Sequence, residues 1–195
     1  MKILNKLLKV VNRLMFVFFV CFMIFMIITY DDVRLSKFLN ILCILPIVMV
    51  PYVLDKIKLY HMSELLKFFY YLFILLAIVM GSFLGFYYKI WWFDLLVHFI
   101  SGIVTSIVAI LILKSNKLNN IKYSKFIFMF ILIFSIALAG CWEYLEFIWD
   151  KLFYTDTQWV GASGVDDTMT DMLIATLAGI LSSIYYLCYL YKKNS

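Results

Sequence analysis

Long apolar runs separated by short polar segments dominate the pattern of this chain. A transmembrane helix needs roughly 20 mostly apolar residues to cross about 30 Å of hydrocarbon. By this rule the sequence predicts six spans, at about residues 14–30, 38–54, 68–88, 95–113, 126–147 and 172–191. We therefore expect an all-α, polytopic membrane helical bundle that forms a single domain over residues 1–195.

Two of these spans have unusual sequences. The second is short and contains Pro46 and Pro51, which predicts a kinked or tilted helix. The first follows several basic residues, as the apolar core of a signal peptide does, but its apolar run is longer and no A-x-A cleavage site follows. We interpret the first span as a retained signal anchor.

The composition excludes a soluble globular domain. Hydrophobic residues make up 66% of the chain and charged residues 15%, and the mean hydropathy is +0.99. A soluble domain is about half apolar and about a quarter charged. The four cysteines fall within apolar runs and form no CxxC motif, so they are typical of small hydrophobes rather than of a disulfide framework.

The basic residues predict the orientation, because short cytoplasmic loops are enriched in Lys and Arg. With the N-terminus inside, 13 of the 17 basic residues lie in the cytoplasm, and Arg34, Lys37, Lys89 and Lys151 lie outside. Both termini are then cytoplasmic. The net charge of +5 reflects topology, so membrane lipids are the expected partners and nucleic acid is not.

The tryptophans support the same topology independently. All five map to the outer side, near the ends of the last four spans, and tryptophan prefers the membrane–water interface. The residues are Trp91, Trp92, Trp142, Trp149 and Trp159.

Acidic residues gather at the outer ends of the last three spans. Asp94 and His98 enter the fourth span, Glu143, Glu146 and Asp150 leave the fifth, and an aspartate group enters the sixth. That last group consists of Asp166, Asp167 and Asp171. Side chains three or four residues apart share a helix face, and consecutive helices joined by short loops usually pack together. The three polar faces are therefore expected to meet.

The depth of these groups indicates a function. Glu143 and His98 are expected about one turn inside the membrane boundary, where an ionised group costs about 2.5–3.5 kcal/mol and usually faces a partner, a cavity or an ion. Carboxylates facing one another need protons or a cation to offset their repulsion. An oxygen-rich site suits Mg²⁺, Mn²⁺ or Ca²⁺, and one histidine on this side excludes a three-histidine zinc site.

We hypothesise a divalent-cation site used for chemistry on a lipid or envelope headgroup, with His98 or Glu143 as the general base. The predicted metal ligands are Asp94, His98, Glu143, Glu146, Asp167 and Asp171.

Three other interpretations remain open. The carboxylates are also typical of helix caps and interfacial solubility residues. The same carboxylates are typical of a cation- or proton-coupled transporter, although the inner halves of the spans offer few polar groups. A non-catalytic immunity or assembly protein would use the cluster only to join helices. The sequence does not decide whether the protein is an enzyme.

Small residues recur at helical spacing in two spans. Gly81 and Gly85 lie in the third, and Ala175, Gly179 and Ser183 lie in the sixth. Small residues four apart allow helices to approach closely. We expect both sets to be packing surfaces.

The C-terminal half resembles the YjdF-like family of bacterial inner-membrane proteins. The resemblance rests on D-L-L-V-H-F-I-S-G from Asp94, W-E-Y-L-E from Trp142 and D-T-M-T-D-M-L-I-A-T-L-A-G from Asp167. It implies a polytopic membrane protein and brings no activity with it. A fainter similarity runs to VanZ-like membrane proteins, but this chain lacks their E-x-x-Q motif and the basic residue that accompanies it.

Overall fold

The computed structural model describes residues 2–29, 35–58 and 60–194, which are helices joined by turns. The description does not extend to the side chains of residues 2, 35–41, 43, 162 and 194. The predicted outer loop with Arg34 lies outside the described residues. The chain divides into two compact units, Met1–Val79 and Met80–Ser195. The prediction of a single domain stays a prediction.

The first unit contains three long helices. They are α1 (Lys2–Thr29), α2 (Leu35–Lys56) and α3 (Glu64–Ile74), the last of which runs directly into a π-helix, Leu75–Phe83. Helix α1 packs against both α2 and α3. Apolar side chains that are almost completely buried form the core of this unit: Phe19, Ile44, Val48, Tyr71 and Ile74.

Helix α2 continues through both of its prolines. Proline has no N–H, so Pro51 leaves the carbonyl of Ile47, four residues earlier, without its helical donor. The hydroxyl of Tyr70 in α3 donates to that carbonyl at 2.7 Å. A neighbouring helix thus supplies the hydrogen bond that Pro51 removes.

A polar contact joins the start of α3 to α1. The side-chain amide of Asn12 donates to the carbonyl of Glu64 at 2.8 Å and to its carboxylate at 2.9 Å. Lys67 lies 3.0 Å from the other carboxylate oxygen, and Ser63 caps the helix by accepting from Leu66 N–H. Asn12 and Lys67 therefore hold the first residue of α3, while the Oδ1 atom of Asn12 stays buried without a hydrogen-bond partner.

The second unit contains three long helices and three short ones. They are α4 (Phe86–Lys89), α5 (Phe93–Ser115), a 3₁₀ turn (Ile121–Tyr123), α6 (Ser124–Phe153), α7 (Val160–Ser163) and α8 (Asp166–Asn194). Helix α8 packs along α5 and α6, and α5 also packs against α6. At one end these helices pack around an apolar core. It is formed by Ala109, Leu113, Ile127, Ile131, Tyr186 and Leu190.

The three long helices come closest at small residues. A β-carbon on Gly102 would meet the backbone of Ala175, and one on Gly179 would lie 3.0 Å from Ser135 Cβ. The hydroxyl of Ser135 lies 3.1 Å from that of Thr105. The predicted packing surface on the last helix is confirmed.

Gly81 and Gly85 serve a different purpose from the predicted one. A β-carbon on Gly81 would collide with the ring of Tyr87, so the glycine makes room for an aromatic ring rather than for another helix. Gly85 has φ +72°, a left-handed conformation that ends the helical run at Phe83 and lets α4 begin. The predicted third span, 68–88, extends past this break.

Five helical runs among the described residues are long and apolar enough to cross a membrane: Ile3–Thr29, Glu64–Phe83, Phe93–Ser115, Ile121–Phe153 and Asp166–Lys193. They correspond to the first, third, fourth, fifth and sixth predicted spans. Helix α2 overlaps the second predicted span but is not among the five. The all-helical membrane architecture is confirmed, while the second span, and with it the total of six, and the orientation stay predictions.

Candidate functional site

Two helix beginnings bring three metal-ligand side chains together in the second unit. Asp94 lies in the first turn of α5, His98 lies one turn further on, and Asp171 lies in the second turn of α8. His98 Nε2 is 3.5 Å from Asp94 Oδ1 and 3.5 Å from Asp171 Oδ2. One ligand atom from each residue lies within 4.8 Å of the other two.

The three side chains are largely buried inside the protein. The side chains of His98 and Asp171 are 8% and 3% exposed, and that of Asp94 is 25% exposed. The second oxygen of Asp171, Oδ1, is buried and has no hydrogen-bond partner. A buried acceptor without a partner costs about 1–3 kcal/mol, so this oxygen is available to a ligand that offers a positive charge or a donor.

The distances fit ligands around one metal ion better than a direct hydrogen bond. An N–H···O bond is normally 2.7–3.2 Å long, shorter than both separations here. Nitrogen and oxygen ligands about 2.0–2.2 Å from a common ion lie about 3.0–3.6 Å apart at angles between octahedral and tetrahedral. His98 Nε2 therefore has ligand spacing from each aspartate, and the two aspartate oxygens lie within 4.8 Å of each other.

Glu143 lies beside this group, on α6. Its side chain is buried, and its Oε2 atom lies 3.4 Å from the side-chain nitrogen of Gln158. Its Oε1 atom is buried and has no hydrogen-bond partner. Glu143 interacts electrostatically with Asp94 and Asp171 but is not in the three-residue group that meets within 4.8 Å.

The other predicted ligands are placed differently. Glu146 accepts a hydrogen bond from the indole of Trp142 at 2.8 Å. Asp167 lies in the first turn of α8 and, like Glu146, interacts electrostatically with Asp171. The predicted six-residue set thus divides into three residues with ligand spacing and three carboxylates around them. Whether any of them binds metal stays a prediction.

Asp150, near the end of α6, fixes the loop that follows this helix. Its carboxylate accepts hydrogen bonds from the hydroxyls of Thr155 and Thr157 and from the backbone N–H groups of Thr157 and Gln158, at 2.6–3.1 Å. Four donors satisfy this carboxylate. Asp150 is therefore a structural residue in the chain that connects α6 to α8.

Two neighbours of the site could not be predicted from residue spacing. Gln158 is buried and reaches back 15 residues to Glu143. Tyr87 lies before α5, and burial raises the pKa of its phenol, as do the negative charges of Asp94, Glu146 and Asp171. The phenol of Tyr87 therefore stays neutral near these carboxylates. An aromatic residue near a loop gives no sequence signal for such a position.

The helices and their polar end define a multi-helix membrane protein with one acidic, histidine-containing centre. The chain belongs to the family described as predicted membrane protein (DUF2238), whose model matches residues 11–192. An uncharacterized protein of Thermotoga maritima is 33% identical over 130 residues, which cover 65% of this chain and 64% of that protein. The matched part thus spans less than two thirds of the relative. No solved structure matches.

Membership of a membrane-protein family agrees with what the YjdF-like resemblance implied. The name YjdF itself and the fainter VanZ-like similarity stay predictions.

Proposed function

We propose that Asp94, His98 and Asp171 bind one divalent cation at the membrane surface, and that the cation serves chemistry on a lipid or envelope headgroup. The observation that supports this most strongly is the 3.5 Å spacing of His98 Nε2 from both carboxylates, combined with the unpartnered Oδ1 atom of Asp171. The site lies at the ends of helices long enough to span a bilayer, which is the depth at which headgroups lie.

The ligand set favours a transition metal over the hardest cations. Mg²⁺ and Ca²⁺ prefer oxygen ligands, whereas imidazole nitrogen suits Zn²⁺ and neighbouring metals, and Mn²⁺ accepts carboxylates readily. One imidazole and two carboxylates therefore favour Mn²⁺ or Zn²⁺. Of the three cations predicted from the sequence, Mn²⁺ therefore fits these ligands better than Mg²⁺ or Ca²⁺ does.

In this proposal Glu143, not His98, is the general base. His98 Nε2 faces both aspartates, so that nitrogen is occupied when a metal is bound. Glu143 keeps a buried carboxylate oxygen with no partner beside the group. A cation held by Asp94, His98 and Asp171 would supply Lewis-acid chemistry, and the free oxygen of Glu143 would accept a proton there.

We also propose the full six-span topology, with both ends in the cytoplasm of a bacterial plasma membrane. The second unit supports the orientation, because its acidic groups lie at one end of the three long helices. Lysines lie at the other end, at the end of α5, the start of α6 and the end of α8: Lys114, Lys122, Lys125, Lys192 and Lys193. Short cytoplasmic segments are normally the basic ones.

The test is the metal content of the purified full-length protein, compared with Asp171→Asn and with Asp156→Asn. Asp156 is an exposed loop carboxylate, so its variant controls for the loss of one acidic group. We expect about one Mn²⁺ or Zn²⁺ per chain in the wild type and in Asp156→Asn, and none in Asp171→Asn. Equal metal content in all three proteins would contradict the proposal.

Helix content and the thermal midpoint, measured on the same samples, identify the non-catalytic alternative. A cluster that only joins helices predicts that Asp171→Asn lowers the midpoint while no sample contains metal.

A further inference from the structure

The connection between α6 and α8 is built around one carboxylate. Asp150 Oδ1 accepts from the Thr155 hydroxyl at 2.6 Å and from the Thr157 hydroxyl at 2.8 Å. Asp150 Oδ2 accepts from the backbone N–H groups of Thr157 at 2.9 Å and Gln158 at 3.1 Å. These bonds fold the chain back onto the end of α6 and fix the backbone at Gln158.

From that position the side chain of Gln158 points back to Glu143. Its Nε2 atom lies 3.2 Å from the Glu143 carbonyl, 3.4 Å from Glu143 Oε2 and 3.2 Å from the hydroxyl of Thr168. Gln158 is only 7% exposed, so water does not compete for these bonds. One amide group thus contacts Thr168 in the first turn of α8 and both the backbone carbonyl and the carboxylate of Glu143.

We propose that Gln158 is a positioning residue that fixes the orientation of the Glu143 carboxylate and leaves one of its oxygens free toward the site, and that Asp150 holds Gln158 in place. The amide makes a long contact of 3.4 Å with Oε2, the Thr168 hydroxyl also bonds the Glu143 side chain, and the atom left unpartnered in the buried interior is Oε1. The contact to one oxygen restrains the plane of the carboxylate and leaves the other oxygen free. The catalytic meaning of this orientation rests on the proposed function, in which Glu143 would act as the general base.

The proposal concerns an orientation, so its test needs a signal from Glu143 itself. The infrared carboxyl or carboxylate band of Glu143, identified as the band lost in Glu143→Gln, reports its hydrogen bonds. We choose Gln158→Met, which keeps the length of the side chain but has no donor. Gln158→Leu is a second variant of different shape. Each is measured as metal-free, full-length protein with unchanged helix content.

We expect the Glu143 band to move in both Gln158 variants. The matched control is Trp142→Phe, which removes a 2.8 Å donor from the neighbouring carboxylate of Glu146. That variant should leave the Glu143 band in place and move the Glu146 band instead. Thr157→Val removes one hydroxyl from the Asp150 loop and should move the Glu143 band in the same direction as Gln158→Met, by less.

Titration with Mn²⁺ and Zn²⁺ separates this inference from the proposed function. Gln158 contacts Glu143 and Thr168 but none of the three proposed ligands, so we expect near wild-type metal affinity in Gln158→Met and complete loss in Asp171→Asn. A Glu143 band that stays unchanged in both Gln158 variants would overturn the inference. Absence of metal binding in the wild type would overturn the proposed function but leave the band test of Gln158 intact.

Discussion

A β-carbon on Gly102 of α5 would lie 2.6 Å from the carbonyl oxygen of Ala175 in α8. The same atom would lie 2.7 Å from Ala178 Cβ, so two helices of the site-bearing unit approach each other at a point that admits only hydrogen. Gly102 lies one turn beyond His98, and Ala175 lies one turn beyond Asp171. The close approach therefore determines the separation of the two helices that carry the candidate ligands.

Gly102→Ala should destabilise the protein by about 1–3 kcal/mol, because the added methyl group meets backbone atoms that cannot rotate away. The thermal midpoint in detergent measures the effect. Gly140→Ala is the matched control, since its β-carbon would meet only the flexible end of Met172 at 3.7 Å. There we expect no loss, and a gain of up to about 1 kcal/mol from helix propensity. Equal midpoints for the two variants would contradict the assigned packing.

His98→Gln should weaken Mn²⁺ or Zn²⁺ binding by roughly 100-fold or more, because loss of a ligand costs at least as much as loss of an outer partner. Isothermal titration measures the affinity. The control is His61→Gln, the other histidine of the chain, whose side chain is 72% exposed. Bound metal should also raise the thermal midpoint of the wild type, since it binds only the folded state. Similar affinities in both variants would contradict a role for His98.

Tyr70→Phe should destabilise the first unit by about 1–3 kcal/mol, because the Ile47 carbonyl loses its donor inside an apolar environment. Pro51→Ala restores a backbone N–H four residues after Ile47. In that background the loss of the Tyr70 hydroxyl should cost clearly less, which a double-mutant cycle on the unfolding free energy detects. Additive effects would show that the tyrosine does not replace the missing helical bond.

Asp55 and His61 form an exposed pair at 2.6 Å between α2 and α3. The hydrogen bond from His61 lowers the pKa of Asp55 below its ordinary value of 3.8, and the positive charge of His61 lowers it further. A lowered folded-state pKa means that the small stabilisation from this pair is present above pH 3.8 and is lost as the pH falls through the lowered value. Carbon NMR titration of Asp55 checks this, and His61→Gln should return the midpoint toward 3.8. A midpoint that His61→Gln leaves unchanged would exclude the histidine as the cause.

The residue pattern predicts the elements of the site better than its internal contacts. The i, i+4 spacing placed Asp94 and His98 on one face of a helix, and the structure places them 3.5 Å apart. Glu143 and Glu146 were likewise predicted to share a face, yet each has a different partner, one an amide and the other an indole. Spacing along a helix determines the direction of a side chain, whereas its partner depends on the loop or helix opposite.

Loop geometry explains what the sequence does not reveal. Gln158 reaches Glu143 only because the carboxylate of Asp150 folds the intervening chain. In the same way, the break after Phe83 depends on the left-handed backbone of Gly85, although the hydrophobic run continues to Tyr88. Hydropathy alone extends the third span through this break because it contains no information about φ.

The separation of charge along α5, α6 and α8 also determines how permanent the arrangement is. Turning the second unit over in a bilayer would carry carboxylates through the hydrocarbon in one direction and lysines in the other. Each charged group costs about 2.5–3.5 kcal/mol at the centre of a membrane, and a dozen or so such groups would have to cross. The total free-energy barrier is therefore many times larger than the thermal energy. Whichever way the helices enter the membrane during synthesis, each molecule therefore keeps that orientation for its lifetime.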